Sequence, residues 1–405
     1  MRRVVITGMG AISALGHDAA KCWQGARDGR SAIAALRGFE DTATRVQVAA
    51  QVRDFDPTAH FNNKQLPLLD RVSQFALVAA REAVAQSGLD FRADELGRRT
   101  ACVVGTGVGG EQTNDESSRR IYRDGSARLH PFTIVRRMAN APASHVGIEF
   151  GLYGPTFSVA SACASSNHAL AQALALVRSG TADAALAGGT EACITYGVLL
   201  AWEAMRVLAD DTCRPFCKQR RGLVLGEGAG MFVLEEYQHA RARGAEILAE
   251  LAGAGLSADA ADMVMPSVDG AAQAMHAALD DAGLDPTDVD YINAHGTGTA
   301  ANDPTETRGI RQTFGAHAER LAVSSTKSVH GHALGAAGAL ELVAVLGALR
   351  EDVVPPTANF IDADPECDLD YVPNRPRERR VRAALSNSFA FGGLNAVLAL
   401  KRFHE

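Results

Sequence analysis

Short runs of β-branched and small apolar residues alternate along the chain with longer segments in which apolar positions recur at helical spacing. Strands buried on both faces have near-continuous apolar runs, whereas amphipathic helices place apolar residues three and four positions apart. The alternation therefore predicts an α/β protein. The predicted strands cover residues 3–7, 100–104, 182–187, 231–235, 290–294, 322–325 and 396–400. The predicted helices cover residues 19–27, 70–86, 166–179, 238–243, 270–282, 303–314 and 337–350.

Length and composition are those of a globular chain. Its 405 residues, of which 47% are hydrophobic, can bury a large core and suggest two or more domains or one duplicated architecture. Alanine and glycine dominate residues 251–261, which are the nearest feature to a midpoint, and no sequence repeat stands out. The net charge of −7 disfavours nucleic acid as the main partner, because phosphate-binding surfaces carry a basic excess.

The sequence predicts a cytoplasmic location. No apolar run approaches the roughly 20 residues of a membrane helix, so we expect no membrane insertion. Glycines interrupt the start, MRRVVITGMGAISALG, too early for a signal peptide. The seven cysteines are odd in number and scattered, which favours reduced thiols over a disulfide framework.

Cys163 lies in SVASACASSNHALAQALALVRSG, between a small apolar run and an alanine-rich helical pattern. At such a junction the unpaired backbone N–H groups and the helix dipole favour a negative charge, so we expect this thiol to ionise more easily than a free one. The alternative is a buried cysteine without chemistry, since free cysteine is among the most buried residue types.

Glycine clusters mark the ends of several predicted strands, where loops can approach a ligand closely. They are GTGVGG (105–110), AGGTEA (187–192), GEGAG (226–230), HGTGT (295–299), GHALGAAG (331–338) and FGGLN (391–395). GMGAIS near the start does not predict a dinucleotide site, because Ser13 stands where the third glycine would be and no acidic residue follows on schedule.

Two histidines open glycine-rich loops at strand ends, His295 in NAHGTGT and His332 in STKSVHGHALGAAG. Each could donate a hydrogen bond to a ligand, and each could equally be a structural histidine. Lys327 and Glu306 could form a buried ion pair that orients them, or an ordinary surface pair. The spacing around Cys163 gives no paired-ligand motif for zinc, so we expect no metal.

Five separated motifs together resemble those of the elongating β-ketoacyl-acyl-carrier-protein synthases, the ketosynthase II type of the thiolase superfamily. They are Cys163 in ASACASS, His295 in NAHGTGT, Lys327 in SSTKS, His332 in GHALGAAG and residues 387–393, NSFAFGG. The resemblance covers essentially the whole chain. It implies a thiolase fold of two similar halves, residues 1–250 and 251–405, stacked as α-β-α-β-α with five-stranded mixed sheets.

The resemblance also implies the reaction. Cys163 accepts an acyl group from a carrier's phosphopantetheine, while its own backbone N–H and that of Phe391 hold the oxyanion. His295 and His332 each donate a ring N–H to a malonyl thioester, stabilising the enolate left by decarboxylation, and this carbanion attacks the acyl thioester.

Further roles follow from the same resemblance. Lys327 and Glu306 are implied as the pair that positions the histidines. The implied substrate contacts are Thr297 and Thr299 along the pantetheine arm, Val108 at the acyl tunnel, Phe391 at the gate, and Phe389 and Gly392 in the gate loop. No cofactor is expected, since substrates arrive on an acyl carrier protein. The implied assembly is a homodimer, or a heterodimer with a related ketosynthase-like chain, and the small apolar residues of 140–147 and 156–160 suit a strand buried between subunits.

Several residues depart from the family's pattern. Ala390 and Leu394 replace a glycine and a threonine in the gate loop, Asp262 stands where a histidine is frequent, and Cys217 and Arg221 stand where acidic residues are common. Residues 62–71, NNKQLPLLDR, carry few bases for an acidic carrier. These departures favour a specialised fatty acid, polyene or polyketide pathway over housekeeping fatty acid elongation.

Three other readings stay open. A thiolase needs a second cysteine in its C-terminal glycine loop, and residues 391–393 have none. A chain-length-factor-like subunit lacks the nucleophile that Cys163 supplies here. A Cys-His hydrolase would transfer the acyl group to water without forming a carbon–carbon bond.

Overall fold

The computed structural model describes residues 2–93 and 95–403. They form fourteen β-strands, of which ten build one sheet. The strands before residue 240 are β1 (Val4–Ser13), β2 (Ala34–Ala35), β3 (Val48–Ala49), β4 (Thr100–Gly105), β5 (Thr156–Val159), β6 (Ala184–Glu191) and β7 (Gly228–Glu236). Those after it are β8 (Ala249–Ala258), β9 (Tyr291–Asn293), β10 (Ala322–Ser324), β11 (Val353–Val354), β12 (Arg377–Glu378), β13 (Ala383–Ala390) and β14 (Leu394–Lys401).

Twelve α-helices connect the strands within the described residues. The first seven are α1 (Ala19–Arg27), α2 (Arg71–Ser87), α3 (Glu111–Tyr122), α4 (Thr133–Arg137), α5 (Ala141–Phe150), α6 (Ser165–Arg178) and α7 (Tyr196–Met205). The others are α8 (Tyr237–Ala242), α9 (Val268–Ala282), α10 (Asn302–Phe314), α11 (Lys327–His330) and α12 (Ala337–Glu351).

The sheet consists of two five-stranded halves with the same internal order. It runs β5-β4-β6-β7-β1 in the first half and β10-β9-β13-β14-β8 in the second. In each half the first two pairings are parallel and the next two antiparallel. The halves meet where β1 pairs with β8 through Val5–Glu250 and Ile6–Ala249, so they form one ten-stranded ladder. The predicted pair of five-stranded mixed sheets is confirmed. The β1–β8 pairing that joins them into one sheet was not predicted.

Three apolar clusters show the layers. The central cluster contains Leu170 and Leu174 of α6 together with Val343 and Leu346 of α12, so these two helices lie between the sheet halves. One outer cluster joins α2 to the far face of the first half, and the other joins α9 to the far face of the second. This is the predicted α-β-α-β-α stack.

Close helix approach explains glycines inside the strands. A Cβ on Gly10 of β1 would lie 2.1 Å from the Ala79 carbonyl oxygen of α2, and one on Gly255 of β8 would lie 2.0 Å from the Ala274 carbonyl oxygen of α9. Only glycine fits where the helix backbone touches the sheet. The same device in both halves is further evidence of duplication.

The structure corrects some predicted elements. Residues 140–147, expected as an interface strand, lie mostly in helix α5, while residues 156–159 form β5 at the edge of the sheet. The stretch 251–261 that resembled a midpoint is mostly β8, whose glycines pack against α9. Since β8 begins at Ala249, a boundary after residue 250 falls two residues into this strand.

None of the helices in the described ranges is both long and apolar enough to cross a bilayer.

Candidate active site

A cavity of about 350 Å³ opens between the two halves. Its lining includes Cys163, Trp202, Val207 and Leu223 from the first half, and His295, Thr297, Thr299, His332, Phe389 and Phe391 from the second. A larger open depression of about 750 Å³, between α2 and α3, contains neither Cys163 nor the two histidines. The smaller cavity is therefore the candidate active site.

Cys163 lies in a 3-10 turn, Ala162–Ala164, directly before α6. Ala162 has a φ of 47°, a left-handed conformation that L-residues avoid and that turns the chain sharply ahead of the cysteine. The thiol is buried, with 6% of the residue exposed, and it lies at the start of a 14-residue helix. The predicted position between strand and helix is confirmed.

The expected easy ionisation of Cys163 is wrong for the resting enzyme. Burial raises the pKa of this thiol to about 11, and the nearby Lys327 ammonium only partly opposes the shift. Moving the thiolate out of water costs more than the neighbouring charge returns. The thiol is therefore protonated at neutral pH.

His295 follows β9 and is held in one tautomer by Lys327. The Lys327 Nζ lies 3.3 Å from Nδ1 of His295, and an ammonium can only donate. The ring proton of the neutral imidazole therefore sits on Nε2. Burial and the Lys327 charge hold the pKa of His295 well below its usual value, so the ring stays neutral. A neutral ring with an N–H is the donor that the sequence predicted.

His332 is less constrained. Its backbone N–H donates to the Val224 carbonyl at 2.7 Å, while its ring Nδ1 is buried and has no hydrogen-bond partner among the described residues. Burial and the Lys327 charge keep the pKa of His332 well below its usual value. The rings of His295 and His332 meet edge to face, with centroids 5.4 Å apart.

The three functional groups converge. Sγ of Cys163 and one ring nitrogen from each of His295 and His332 all lie within 4.8 Å of one another. The structure thus brings together the three side chains that the sequence singled out from opposite halves.

The predicted ion pair between Lys327 and Glu306 is wrong. Lys327 is fully buried and pairs with Glu341 of α12, which is also fully buried. Sequence reasoning missed Glu341, although a single acidic residue in the apolar run ALELVAVLGAL is a signal of a buried partner. The pair fixes the ammonium that selects the tautomer of His295.

Glu306 instead holds the loop that carries His295. Its carboxylate accepts the backbone N–H groups of His295 and Gly296, both at 2.8 Å, and the side-chain amide of Asn387 at 3.1 Å. Burial raises the pKa of Glu306 to about 7. Its role is to position the histidine through the backbone, without an ion pair.

Thr297 and Thr299 both line the cavity, as the resemblance implied. Their hydroxyls lie 2.9 Å apart, and the backbone N–H groups of Thr297 and Gly298 both donate to Asp303 at the start of α10. This loop is anchored by α10, which fixes both threonines in the cavity wall.

The residues that the resemblance implies as the gate loop lie at the turn between β13 and β14. Phe391 stacks on Trp202 of α7, with ring centroids 5.9 Å apart and planes 25° from parallel. The Gly392 N–H donates to the Met263 carbonyl at 2.7 Å, which ties the turn to the loop that contains Asp262. Phe389 lies against His295, with centroids 6.1 Å apart. Trp202 is a cavity residue that sequence reasoning missed.

Val108 lies outside this cavity in the described structure. It is 43% exposed and follows Gly107 on the loop after β4. The implied place at the acyl tunnel is therefore not seen in the single chain.

Two of the departures from the family's pattern lie near the cavity mouth. Asp262 accepts the backbone N–H groups of Val264 and Met265 at 2.7 and 2.8 Å, so it caps its own loop. Arg221 lines the mouth and forms a 3.6 Å ion pair with Asp210 that is exposed to solvent. Cys217 is buried.

A buried thiol beside two neutral imidazoles, in a cavity between two duplicated halves, is the arrangement expected of a cysteine-dependent acyltransferase of the thiolase fold. Family comparison supports this class. The model of the β-ketoacyl synthase N-terminal domain matches residues 1–240, and that of the C-terminal domain matches residues 248–361. The chain belongs to the β-ketoacyl synthase family.

Individual relatives span the whole chain. Nodulation protein E of Rhizobium meliloti (strain 1021) is 52% identical over 401 residues, covering 99% of each chain. The 3-oxoacyl-[acyl-carrier-protein] synthase 2 of Synechocystis sp. is 42% identical, covering 99% of this chain and 98% of the relative. Among solved structures, the ishigamide ketosynthase/chain length factor superposes with a TM-score of 0.95 at 38% identity, covering 100% of both chains.

Proposed function

We propose that this chain extends an acyl group by decarboxylative Claisen condensation with a malonyl-carrier, as a β-ketoacyl-acyl-carrier-protein synthase. The observation that carries the proposal is the meeting of the Cys163 thiol with two neutral imidazoles, all within 4.8 Å, at the base of the cavity. A thiol alone would serve acyl transfer. Two uncharged N–H donors beside it suit an enolate, which a stronger acid would protonate.

The first half-reaction is transfer of the acyl group to Cys163. Because the pKa of this thiol is raised to about 11, its proton must pass to a base, and Nε2 of His295 already carries one. His332 is the imidazole left to accept it. The thiolate attacks the acyl thioester, the carbon–sulfur bond to the carrier breaks, and the proton returns from His332 to the departing pantetheine thiol.

The second half-reaction forms the carbon–carbon bond. The malonyl carboxylate leaves as carbon dioxide, and the electron pair of the broken bond moves into an enolate. The enolate accepts the Nε2–H of His295 and, once the His332 ring has changed tautomer by proton exchange with water, the N–H of His332. The enolate carbon attacks the acyl group on Cys163. Backbone N–H groups of Cys163 and Phe391 hold the tetrahedral oxyanion until the carbon–sulfur bond breaks. The released thiolate takes up one proton.

The proposed chemistry needs no metal and no redox cofactor. The acyl groups arrive on the phosphopantetheine arm of the carrier, and the two hydroxyls of Thr297 and Thr299 line its path to Cys163. Neither half-reaction needs an external oxidant or reductant, because the electron pair left behind by carbon dioxide forms the new carbon–carbon bond.

A specialised fatty acid, polyene or polyketide pathway is part of the proposal. Identity is 52% to nodulation protein E and 42% to 3-oxoacyl-[acyl-carrier-protein] synthase 2, and a ketosynthase/chain length factor pair has the same fold. Housekeeping fatty acid elongation is the alternative. A chain-length-factor-like role without catalysis is disfavoured because Cys163 lies in the site with both histidines.

The proposed partners are an acyl carrier protein and a second chain of the same fold. The edge strand β5 is partly exposed, including Phe157 at 37%, so its outer hydrogen-bonding edge is available to a second chain. We expect light scattering to report a dimer, alone or with a coexpressed related chain. A monomer under both conditions would contradict this assembly.

A cytoplasmic location also belongs to the proposal. All seven cysteines are free and buried, which agrees with a reducing compartment.

The test is to incubate the protein with an acyl-carrier and malonyl-carrier and to weigh the products. We expect a β-ketoacyl-carrier two carbons longer than the acyl donor, and one acyl adduct that maps to Cys163. Cys163→Ala should form neither, whereas Cys102→Ala, a buried cysteine far from the cavity, should form both. Acyl hydrolysis without a longer product would favour the Cys-His hydrolase instead.

A further inference from the structure

A buried carboxylate outside the catalytic set ties the two halves together at the site. Glu191 ends β6 in the first half and is fully buried. One carboxylate oxygen accepts the N–H of Gly107 at 2.7 Å and that of Gly335 at 2.9 Å. The other accepts the Thr106 hydroxyl at 3.1 Å. No cation lies in an ion pair with Glu191 among the described residues, so neutral donors alone satisfy it.

Gly335 belongs to the turn that carries His332. The turn Leu334–Ala336 leads from His332 into α12, in the second half. Its Gly335 carbonyl accepts the hydroxyl of Ser166 at 2.5 Å, and Ser166 lies three residues after Cys163. Residue Gly335 is therefore bonded to the first half on both sides of its Cα, through Glu191 at its N–H and through Ser166 at its carbonyl.

The internal duplication shows what this arrangement corresponds to. Ala162–Ala164 precedes α6 as Leu334–Ala336 precedes α12, and the first residue of each turn has a left-handed φ, 47° for Ala162 and 42° for Leu334. Gly335 thus occupies the place in the second half that Cys163 occupies in the first. At this place a backbone N–H at a helix start faces an anion. In the second half the carboxyl group of Glu191 takes this place, and burial raises its pKa to about 7.

The turn Leu334–Ala336 is packed too closely for a side chain at Gly335. A Cβ on Gly335 would lie 2.2 Å from the Gly107 nitrogen and 2.7 Å from the nearer oxygen of Glu191. A Cβ on Gly107 would lie 2.8 Å from the same oxygen. The loop after β4, the carboxylate and the His332 turn are in direct contact, so moving any one of them moves the others.

We propose that Glu191 is a positioning residue that sets the distance between His332 and Cys163 by holding the Gly335 turn of the second half against the first. It does not touch the reacting atoms. This inference rests on the proposed function, because it explains how the His332 imidazole and the Cys163 thiol are kept at the distance that condensation needs. A misplacement of about 1 Å at a reacting group can lower a rate by about 100-fold.

The test compares kcat, KM and stability in variants of Glu191, with kcat expressed per Cys163 that can be acylated. Glu191→Ala should lose about 100-fold in kcat for condensation, with KM for malonyl-carrier changed less than about threefold. Glu191→Gln, which keeps the length and one acceptor oxygen, should remain within about tenfold of the wild type. Glu191→Asp keeps the charge but is one methylene shorter, so it should be slower than Glu191→Gln.

Chemical rescue tests the role of Glu191 as a hydrogen-bond acceptor directly. Removing the side chain in Glu191→Ala leaves the N–H groups of Gly107 and Gly335 without an acceptor, and formate is small enough to take its place. We expect formate to raise kcat of Glu191→Ala at least about fivefold over chloride at equal ionic strength, and to leave the wild type unchanged.

Glu235→Gln is the matched control. Glu235 is another fully buried carboxylate of the first half, but its partners are Thr7, His239 and Arg243, and it lies outside the cavity. This variant should lose stability in urea and keep its kcat.

The outcomes separate this inference from the proposed function. If the wild-type protein does not lengthen the acyl chain, the proposed function itself is wrong. If the wild type is active, each of three results would overturn the positioning role. They are a kcat of Glu191→Ala within about threefold of the wild type, a loss of kcat in Glu235→Gln as large as that in Glu191→Ala, and no effect of formate. If circular dichroism shows that Glu191→Ala is unfolded, the other two variants decide the test. A higher kcat in Glu191→Gln than in Glu191→Asp supports the positioning role, and the reverse order overturns it.

Discussion

Removing the imidazole of His295 should separate the two half-reactions. The Lys327 ammonium lies 3.3 Å from Nδ1, which places the ring proton on Nε2 and makes His295 a donor that cannot accept the thiol proton. In His295→Ala the enolate loses one of its two side-chain donors. Loss of one such hydrogen bond costs about 2.7–4 kcal/mol, or roughly 100- to 1,000-fold in rate.

Acylation of Cys163 should survive in the same variant. Its proton passes to His332, and Lys327 keeps its ion pair with Glu341, so the buried ammonium does not lose its counter-charge. We therefore expect acyl-enzyme to form within about tenfold of the wild-type rate, while carbon dioxide release falls by the factor above. His332→Ala should lose both steps.

Three measurements check this expectation: intact mass for the acyl-enzyme, trapped carbon dioxide from malonyl-carrier, and mass of the condensed product. His295→Gln, which restores an N–H donor, should recover part of the decarboxylation rate. The exposed His276 of α9 gives a control, and His276→Ala should behave as the wild type. Equal loss of acylation and decarboxylation in His295→Ala would refute the assignment of separate roles.

Three further outcomes follow from the site. The alkylation rate of Cys163 by iodoacetamide should rise about tenfold for each pH unit from pH 7 to pH 9.5, because the thiolate fraction rises tenfold per unit below a pKa of about 11. A plateau near pH 8 would instead show an easily ionised thiol. Lys327→Met leaves Glu341 buried without its partner and should lower the free energy of unfolding in urea by about 3–5 kcal/mol, whereas the double variant with Glu341→Leu should recover most of it. Trp202→Leu removes an aromatic stack on Phe391 that is worth about 0.5–1.5 kcal/mol, so the open position of Phe391 should become about 2- to 13-fold more populated. Acylation by bulky acyl-carriers should then be faster. An unchanged acylation rate would mean that the stack does not hold Phe391 closed.

Much of the fold could be predicted from periodicity, and what was missed has a physical cause. All seven predicted strands and all seven predicted helices overlap observed elements. β8 was missed because its glycines, which let α9 approach, read as a flexible stretch. β13 was missed because its sequence AALSNSFA is polar in the middle, where Asn387 turns inward to bond Glu306.

The site residues divide in the same way. Cys163, His295 and His332 could be predicted because each stands beside a glycine-rich or small-residue turn, a signal that is local in sequence. The partner of Lys327 could not, because Glu341 reaches it only after α12 packs between the sheet halves. The raised pKa of Cys163 depends on burial by residues of both halves, which local sequence does not contain.

The two left-handed residues ahead of the central helices have an evolutionary consequence. An L-residue in this conformation costs of order 1–2 kcal/mol, and the protein bears that cost at Leu334 as well as at Ala162, although only the turn at Ala162 contains the cysteine. The sharp bend is thus inherited with the duplicated architecture and was not introduced for the sake of the thiol. A gene copy could exchange the cysteine for another small residue and keep the bend and the helix that follows it. A chain of this architecture can therefore lose its thiol by a single codon change while the surrounding backbone stays the same.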